Sequence, residues 1–228
     1  MTQFLLALLL FLAMHIIPAV PPIRAGLIAM MGRRAYLLVY SLVSLVLLGW
    51  VFHAAMRLDF IPLWDPAAWQ AWVPMVLTPL AMALLVAGLL SPNPASVTLR
   101  GPAAEPGAVT TITRHPVLWG FALWAGSHLV PNGDVRSLLL FGSFLAFALL
   151  GIWMTERRAR RRLGEQWNAI TLSTSVIPFA ALLTGRARLR VDGPLVSGVL
   201  GSAALTVWLL LGGHVVLFNA DPLVLTTL

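Results

Sequence analysis

The chain has 228 residues, of which 59% are hydrophobic and only 10% are charged, and its mean hydropathy is +0.89. This composition excludes a soluble globular fold and is typical of polytopic membrane proteins. The absence of cysteine excludes disulfide scaffolds, thiolate metal sites, covalently attached haem and cysteine nucleophiles. The net charge of +7 is the excess of 15 basic residues, all arginine, over 8 acidic residues. The placement of the arginines fits membrane topology better than nucleic-acid binding.

Six apolar stretches approach the roughly 20 residues with which a helix crosses a bilayer. We therefore predict an all-α, polytopic membrane bundle with six transmembrane helices. The fourth stretch is short, and we expect its helix to begin earlier, between Thr111 and Arg114. In chain order the stretches are residues 2–22, 35–56, 72–90, 116–131, 137–155 and 194–218.

A seventh apolar stretch, residues 170–183, contains Pro178 and several serine and threonine residues. Because proline interrupts a helix, we interpret this stretch as an interfacial or re-entrant segment rather than a crossing. It lies in the segment 168–193, which leads into the last span and tail at 194–228. We treat residues 1–228 as a single membrane domain.

The arginines are divided unequally between the two sides of a six-span bundle. Thirteen fall on one side and two, Arg57 and Arg136, on the other. The positive-inside rule then places the arginine-rich side in the cytoplasm and both termini in the periplasm of a bacterial inner membrane. We interpret the run from Arg157 to Arg162 as a topology anchor that also contacts anionic lipid headgroups.

Two pairs of small residues, each four positions apart, occur in the last span. They are Ser197 with Gly201 and Gly198 with Ser202. Small residues at this spacing let two helices approach closely. We expect this helix to pack tightly against a neighbour.

Histidines are the main ionisable residues within the predicted spans. An imidazole in hydrocarbon is costly unless both ring nitrogens are used, so each is a candidate functional residue. Near a helix end, the alternative is a hydrogen bond to a carbonyl or to interfacial water. The four intramembrane histidines are His15, His53, His128 and His214, and His115 lies at the arginine-rich end of the fourth span.

Two histidines on different helices at similar depth can bind the two faces of one haem iron. At ~1.5 Å per residue, His128 differs in depth from His15 by about 7 Å and from His53 by about 8 Å. Helix tilt can absorb either difference, so depth leaves the partner of His128 open. Without cysteine, bis-histidine ligation of a b-type haem is the natural arrangement. A zinc site is disfavoured because no H-E-x-x-H or H-x-x-E-H motif is present.

Two blocks of sequence surround these histidines. The first contains A-M-H-I-I-P and G-R-R-A-Y, and the second contains T-R-H-P, L-W-A-G-S-H-L and N-G-D. Together they resemble the NnrU family over residues 1–167. That family is associated with bacterial denitrification and nitric oxide metabolism, and it includes the zeta-carotene isomerases, which are integral membrane b-haem enzymes.

The resemblance implies that His15 and His128 are the haem ligands. It places the isomerase's two other histidines near His53 and at His115, which with Arg114 complete the candidate cofactor-binding set. In the isomerase, a cysteine three residues before the second ligand is proposed to exchange with histidine. That position is Ala125 here, so ligand exchange does not carry over.

A second resemblance involves R-H-P at 114–116, Glu156, L-G-E-Q-W at 163–167 and V-I-P at 176–178. These elements are similar to the S-adenosylmethionine site of isoprenylcysteine and phospholipid methyltransferases. The similarity implies that Arg114, His115 and Glu156 bind the cofactor. The structural alternative is a weak ion pair at the rim between Arg114 and Glu156, with His115 and Pro116 starting a helix.

The sequence thus predicts an NnrU-type membrane protein that binds b-type haem. It would act in nitrogen-oxide metabolism or in redox-gated cis–trans isomerisation of a polyene. The alternatives are a non-catalytic accessory or assembly protein for nitric oxide reduction, and a membrane methyltransferase. The expected partners are membrane lipid and an apolar small molecule or nitric oxide, and not nucleic acid.

Overall fold

The computed structural model describes residues 1–100 and 105–227, and the regular structure of these residues is helical. These residues form one isolated β-bridge, between Pro62 and Asp134, and no β-strand. The prediction of an all-α fold is confirmed. The α-helices are α1 (Thr2–Ile16), α2 (Pro21–Met31), α3 (Arg33–Met56), α4 (Ala68–Leu90), α5 (Pro116–Leu129), α6 (Val135–Leu163), α7 (Gln166–Ser173), α8 (Ala180–Leu183), α9 (Gly193–Trp208) and α10 (His214–Phe218).

The first predicted span does not continue as one helix to residue 22. It ends at Ile16, a 3₁₀ turn follows, and α2 leaves at 85° to α1. Pro18 lies in the turn, and Pro21 and Pro22 begin α2. Each proline lacks an N–H and its ring clashes with the carbonyl four residues back, so the chain breaks and restarts here.

Within residues 1–100 and 105–227, four helical stretches are long and apolar enough to cross a bilayer, namely α3, α4, α6 and Gly193–Phe218. The last of these runs from α9 to α10 and is kinked at Gly212, which has a φ of 117°. The bent pair of α1 and α2 brings the number to five if it forms one span. At 1.5 Å per residue, α5 is roughly 21 Å long, which is shorter than the ~30 Å hydrocarbon layer. The apolar helices indicate a membrane protein, whereas the count of six spans is not confirmed. The stretch 170–183 is divided between the short helices α7 and α8, as expected for a non-crossing segment.

The start of α5 lies later than the sequence analysis expects. Helical geometry begins at Pro116 rather than between Thr111 and Arg114, and His115 has φ −120° and ψ 59°. A residue that precedes proline is disfavoured in the α conformation, whereas proline itself suits the first helical position. Pro116 is therefore the first helical residue, as expected, and His115 occupies the N-cap position without a capping bond from its side chain.

The described chain divides into two compact units. Unit 1 comprises Met1–Leu63 and Asp134–Leu140, and in it α1 and α2 pack against α3. Unit 2 comprises Trp64–Gly133 and Phe141–Leu228, and in it α4 packs against both α5 and α9.

The packing of α9 against α4 depends on one face of small residues. A Cβ atom on Gly198 would lie 2.8 Å from the carbonyl oxygen of Ala83, closer than real Cβ contacts. One turn later, the Ser202 hydroxyl donates a hydrogen bond to the carbonyl of Pro79 at 2.5 Å. The predicted tight packing is confirmed for this pair of small residues. The other pair does not contribute, because a Cβ on Gly201 would meet nothing within 4 Å.

We expect Gly198→Leu to destabilise the protein by about 3 kcal/mol, because the new side chain must displace backbone of α4. The matched variant Gly201→Leu should stay within about 0.5 kcal/mol of the wild type. Thermal unfolding in detergent, followed by size-exclusion chromatography, measures both. Equal losses in the two variants would contradict this assignment of faces.

Candidate functional site

The T-R-H-P block is held by the non-helical segment between α7 and α8. The backbone N–H of Arg114 donates to the carbonyl of Ser175 at 2.7 Å, and that of Phe179 donates to the carbonyl of Ile112 at 2.7 Å. The Trp119 indole, one turn into α5, donates to a third carbonyl of the same region, that of Val176, at 2.7 Å. The segment therefore places its polar groups directly against the block.

Arg114 is only 4% exposed, and each nitrogen of its guanidinium group has a hydrogen-bond partner. Nη1 forms an ion pair with Glu156 Oε1 from α6. Nε donates to Thr174 Oγ1 at 2.9 Å and Nη2 to the Thr174 carbonyl at 3.2 Å. The guanidinium also lies 4.8 Å from the centre of the Trp167 ring. Arg114 thus joins three segments that are distant in sequence.

Burial governs the energetics of this arginine. Removal from water lowers the pKa of the Arg114 guanidinium, while the charge and hydrogen bond of Glu156 raise it. The expectation of a weak ion pair at the rim is therefore wrong for Arg114, which is buried. Removal of one partner of a buried ion pair strongly destabilises a protein, because the charge of the other partner stays buried and uncompensated.

His115 lies beside this pair and is completely buried. Nε2 is 2.7 Å from Glu156 Oε2, and Nδ1 is 2.9 Å from Ser96 Oγ. An ionised carboxylate can only accept, so Nε2–H donates to Glu156, while Nδ1 pairs with the Ser96 hydroxyl. Ser96 was not predicted as a site residue, because it lies in a Pro-containing loop without a recognisable motif.

A cavity of about 480 Å³ opens beside these residues. Four arginines and one carboxylate contribute to its walls, together with an indole and several hydroxyl and apolar groups. The sequence analysis named Arg114 as a site residue but did not predict that Arg186 joins it, because the two are far apart along the chain. The lining residues are Arg114, Glu156, Arg157, Arg160, Trp167, Thr171, Thr174, Ser175, Val176, Ile177 and Arg186.

In unit 1, His15 lies near the C-terminal end of α1. Its Nδ1 is 2.7 Å from the carbonyl oxygen of Phe11, one turn earlier. The imidazole centre is 4.2 Å from the Phe11 ring and 5.7 Å from the Tyr40 ring of α3. His53, the other candidate in this unit, is exposed on α3.

In unit 2, His128 lies near the C-terminal end of α5 and repeats this arrangement. Its Nδ1 is 2.8 Å from the carbonyl oxygen of Trp124, again one turn earlier. The imidazole stacks on Phe141 with the ring centres 5.2 Å apart. Ala125 is fully buried on the same helix.

A carbonyl beside Nδ1 accepts a hydrogen bond from the ring, which assigns the proton to Nδ1 and the lone pair to Nε2. A histidine that binds a metal through one ring nitrogen typically donates the N–H of the other nitrogen to a carbonyl or carboxylate in this way. The donor chemistry of His15 and His128 therefore fits axial ligation of haem. No cluster of three or more histidine and acidic residues suited to a metal ion occurs in residues 1–100 and 105–227. His214 Nδ1 lies 2.7 Å from the Ala220 carbonyl, as expected for a histidine near a helix end.

Comparisons with known proteins match nearly the whole chain to one family. A family model described as "NnrU protein" matches residues 3–222. The chloroplastic 15-cis-zeta-carotene isomerase of Arabidopsis thaliana is 37% identical over 84 residues, and that of Zea mays is 33% identical over 84 residues. Each alignment covers 37% of this chain and 23% of the relative. The chain thus matches less than a quarter of the length of these relatives. No solved structure gives a significant match.

Proposed function

Because the chain belongs to the NnrU family, we propose that it is a membrane enzyme that isomerises a double bond of a polyene and contains b-type haem ligated by His15 and His128. The observation that carries the proposal is that both histidines which the resemblance assigns as ligands keep Nε2 available to a metal. In each, Nδ1 faces the carbonyl one turn earlier, so Nε2 carries the lone pair. The isomerase relatives support the choice of reaction.

The residues around each histidine orient its ring. The carbonyls of Phe11 and Trp124 hold the tautomer, and the rings of Tyr40 and Phe141 restrict rotation of the imidazoles. When bound, haem would supply an iron centre whose redox state gates rotation about a conjugated double bond. The substrate and the product of an isomerisation contain the same atoms, so the reaction consumes no co-substrate.

The proposal is tested with protein purified from cells supplied with a haem precursor. We expect a low-spin b-type absorption spectrum and, in one redox state only, conversion of 15-cis-zeta-carotene to its trans isomer, followed by chromatography. A haem-loaded protein that converts no more substrate than empty micelles in either redox state would refute the isomerase. A protein without a Soret band would refute the cofactor.

We also propose that the chain lies in a bacterial inner membrane with both termini in the periplasm. The unequal division of arginines between loops supports this orientation. A periplasm-dependent reporter fused after Leu228 should be active, and a reporter inserted near Arg188 should report cytoplasm. A cytoplasmic location for Leu228 would imply an odd number of crossings or the opposite orientation.

A methyltransferase is a second candidate, because Arg114, His115 and Glu156 lie together as that function requires. The charge of the adjacent cavity argues against it. Four arginines face one carboxylate there, whereas S-adenosylmethionine carries a net positive charge. We therefore expect no S-adenosylmethionine binding at millimolar concentration in calorimetry. Saturable binding that is lost in Glu156→Gln would instead establish the methyltransferase.

A further inference from the structure

The cavity beside Arg114, which we call the arginine pocket, has an unbalanced charge. Its walls contain Arg114, Arg157, Arg160 and Arg186 but only the Glu156 carboxylate. Both oxygens of that carboxylate are occupied, Oε1 by Arg114 and Oε2 by His115. Three guanidinium groups of the pocket therefore have no carboxylate from its walls.

The contacts of Arg157 and Arg186 are with neutral groups. The Arg157 guanidinium lies 4.7 Å from the centre of the Trp153 ring. Arg186 Nη1 donates to the Thr171 carbonyl at 3.2 Å, and Nε donates to Thr184 Oγ1 at 3.1 Å. These contacts orient the side chains without neutralising them. In the part of the chain that the structure describes, none of Arg157, Arg160 and Arg186 forms an ion pair.

The part of the chain from α7 to α8, which contributes to the pocket walls, also exposes large apolar side chains. Ile177, a wall residue, is 65% exposed, and Leu172 and Leu183 are 72% and 86% exposed. Arginines beside exposed aliphatic side chains are typical of segments at a membrane interface, where guanidinium groups lie at the level of lipid phosphates.

We propose that the arginine pocket is a binding site for a phosphate-bearing anion. Guanidinium groups bind phosphate through paired, charge-assisted hydrogen bonds, and several around one cavity give both charge and direction. A volume of about 480 Å³ is sufficient for a phospholipid headgroup. The phosphate can belong to a membrane lipid or to a soluble molecule. The site is independent of the haem ligands.

The test uses the full-length protein in a zwitterionic detergent and three probes: short-chain phosphatidic acid, short-chain phosphatidylcholine and inorganic phosphate. Thermal stability is titrated against each, because a ligand that binds the folded state raises the melting temperature saturably. The pocket variants are Arg160→Gln and Arg186→Gln. Their matched controls are Arg158→Gln on the same helix and Arg188→Gln on the same loop, neither of which lines the pocket.

We expect phosphatidic acid to bind saturably, with affinity about tenfold weaker in each pocket variant and unchanged in each control. Preference for phosphatidic acid over inorganic phosphate identifies a lipid as the source, and equal affinity identifies a soluble phosphate. Equal weakening in pocket and control variants would mean diffuse surface attraction and would overturn the proposal, as would the absence of saturable binding. Haem absorbance is recorded in the same samples, so failure of the haem proposal is distinguished from failure of this one.

Discussion

His128→Ala should abolish the low-spin b-type spectrum of protein purified from haem-supplied cells. Two neutral imidazoles give a strong ligand field, and loss of one leaves a five-coordinate, high-spin iron or no bound haem. The alanine also removes the ring that Trp124 and Phe141 orient, while leaving the helix intact. We expect the same result for His15→Ala. Absorption spectra of the oxidised and reduced protein measure both.

The other histidines provide the controls. His214→Ala should leave the spectrum unchanged, because the resemblance to the isomerases assigns the ligands to His15 and His128 and not to His214. His53→Ala tests the alternative partner of His128. If His53→Ala abolishes the low-spin spectrum and His15→Ala preserves it, the ligand pair is His53 with His128 and the correspondence with the isomerase is wrong.

Binding of nitric oxide tests the proposed ligation by two histidines. If His15 and His128 both hold the haem, nitric oxide would have to displace an imidazole in the wild type, so we expect slow binding to the reduced protein. In His15→Ala and His128→Ala one of these ligands is missing, and binding should be fast. Stopped-flow absorbance measures the rates, and equally fast binding in the wild type would favour a protein that handles nitric oxide over one with two permanent histidine ligands.

Glu156→Ala should destabilise the protein by about 3 kcal/mol, since it removes the partner of a buried arginine. Arg114 would keep its charge at 4% exposure with only the hydroxyl and carbonyl of Thr174 as hydrogen-bond acceptors. His115 would lose the acceptor of its Nε2–H at the same time. Thermal or chemical unfolding in detergent measures the loss.

Two variants separate the ion pair from a general effect of acidic residues. Glu165→Ala, at an exposed position just before α7, should change stability by less than about 0.5 kcal/mol. The double variant Arg114→Met with Glu156→Ala should be more stable than Glu156→Ala alone, because it buries no unpaired charge. If the double variant is less stable than the single one, Arg114 stabilises the protein by packing rather than through its ion pair.

The helices illustrate how far local signals extend. Long apolar runs predict α3, α4, α6 and the stretch Gly193–Phe218. The length and hydropathy of each run are enough for this prediction and do not depend on the rest of the chain. Hydropathy counts did not find the break after Ile16 or the late start of α5. Both follow from backbone restrictions at proline, which a hydropathy window averages away.

The site shows the opposite limit. The sequence analysis selected Arg114, His115 and Glu156 through a resemblance, but nothing local connected them with Ser96 or with Thr174, which lies 60 residues from Arg114. It also read Arg157 and Arg160 as a topology anchor, and only the folded chain brings them to a cavity with Arg186. Whether charged residues that are far apart in the sequence lie side by side depends on how the helices pack.

The class of protein, the helical state of its apolar runs and the histidines and arginine of its candidate sites could be predicted without the structure. These properties depend on composition and on neighbouring residues. Tertiary structure decided which of two equivalent small-residue pairs faces α4, because Gly198 and Gly201 differ only in the direction they point after packing. It also decided that Arg114 is buried rather than at a rim, because burial is set by the segments that cover a side chain and not by its own sequence context.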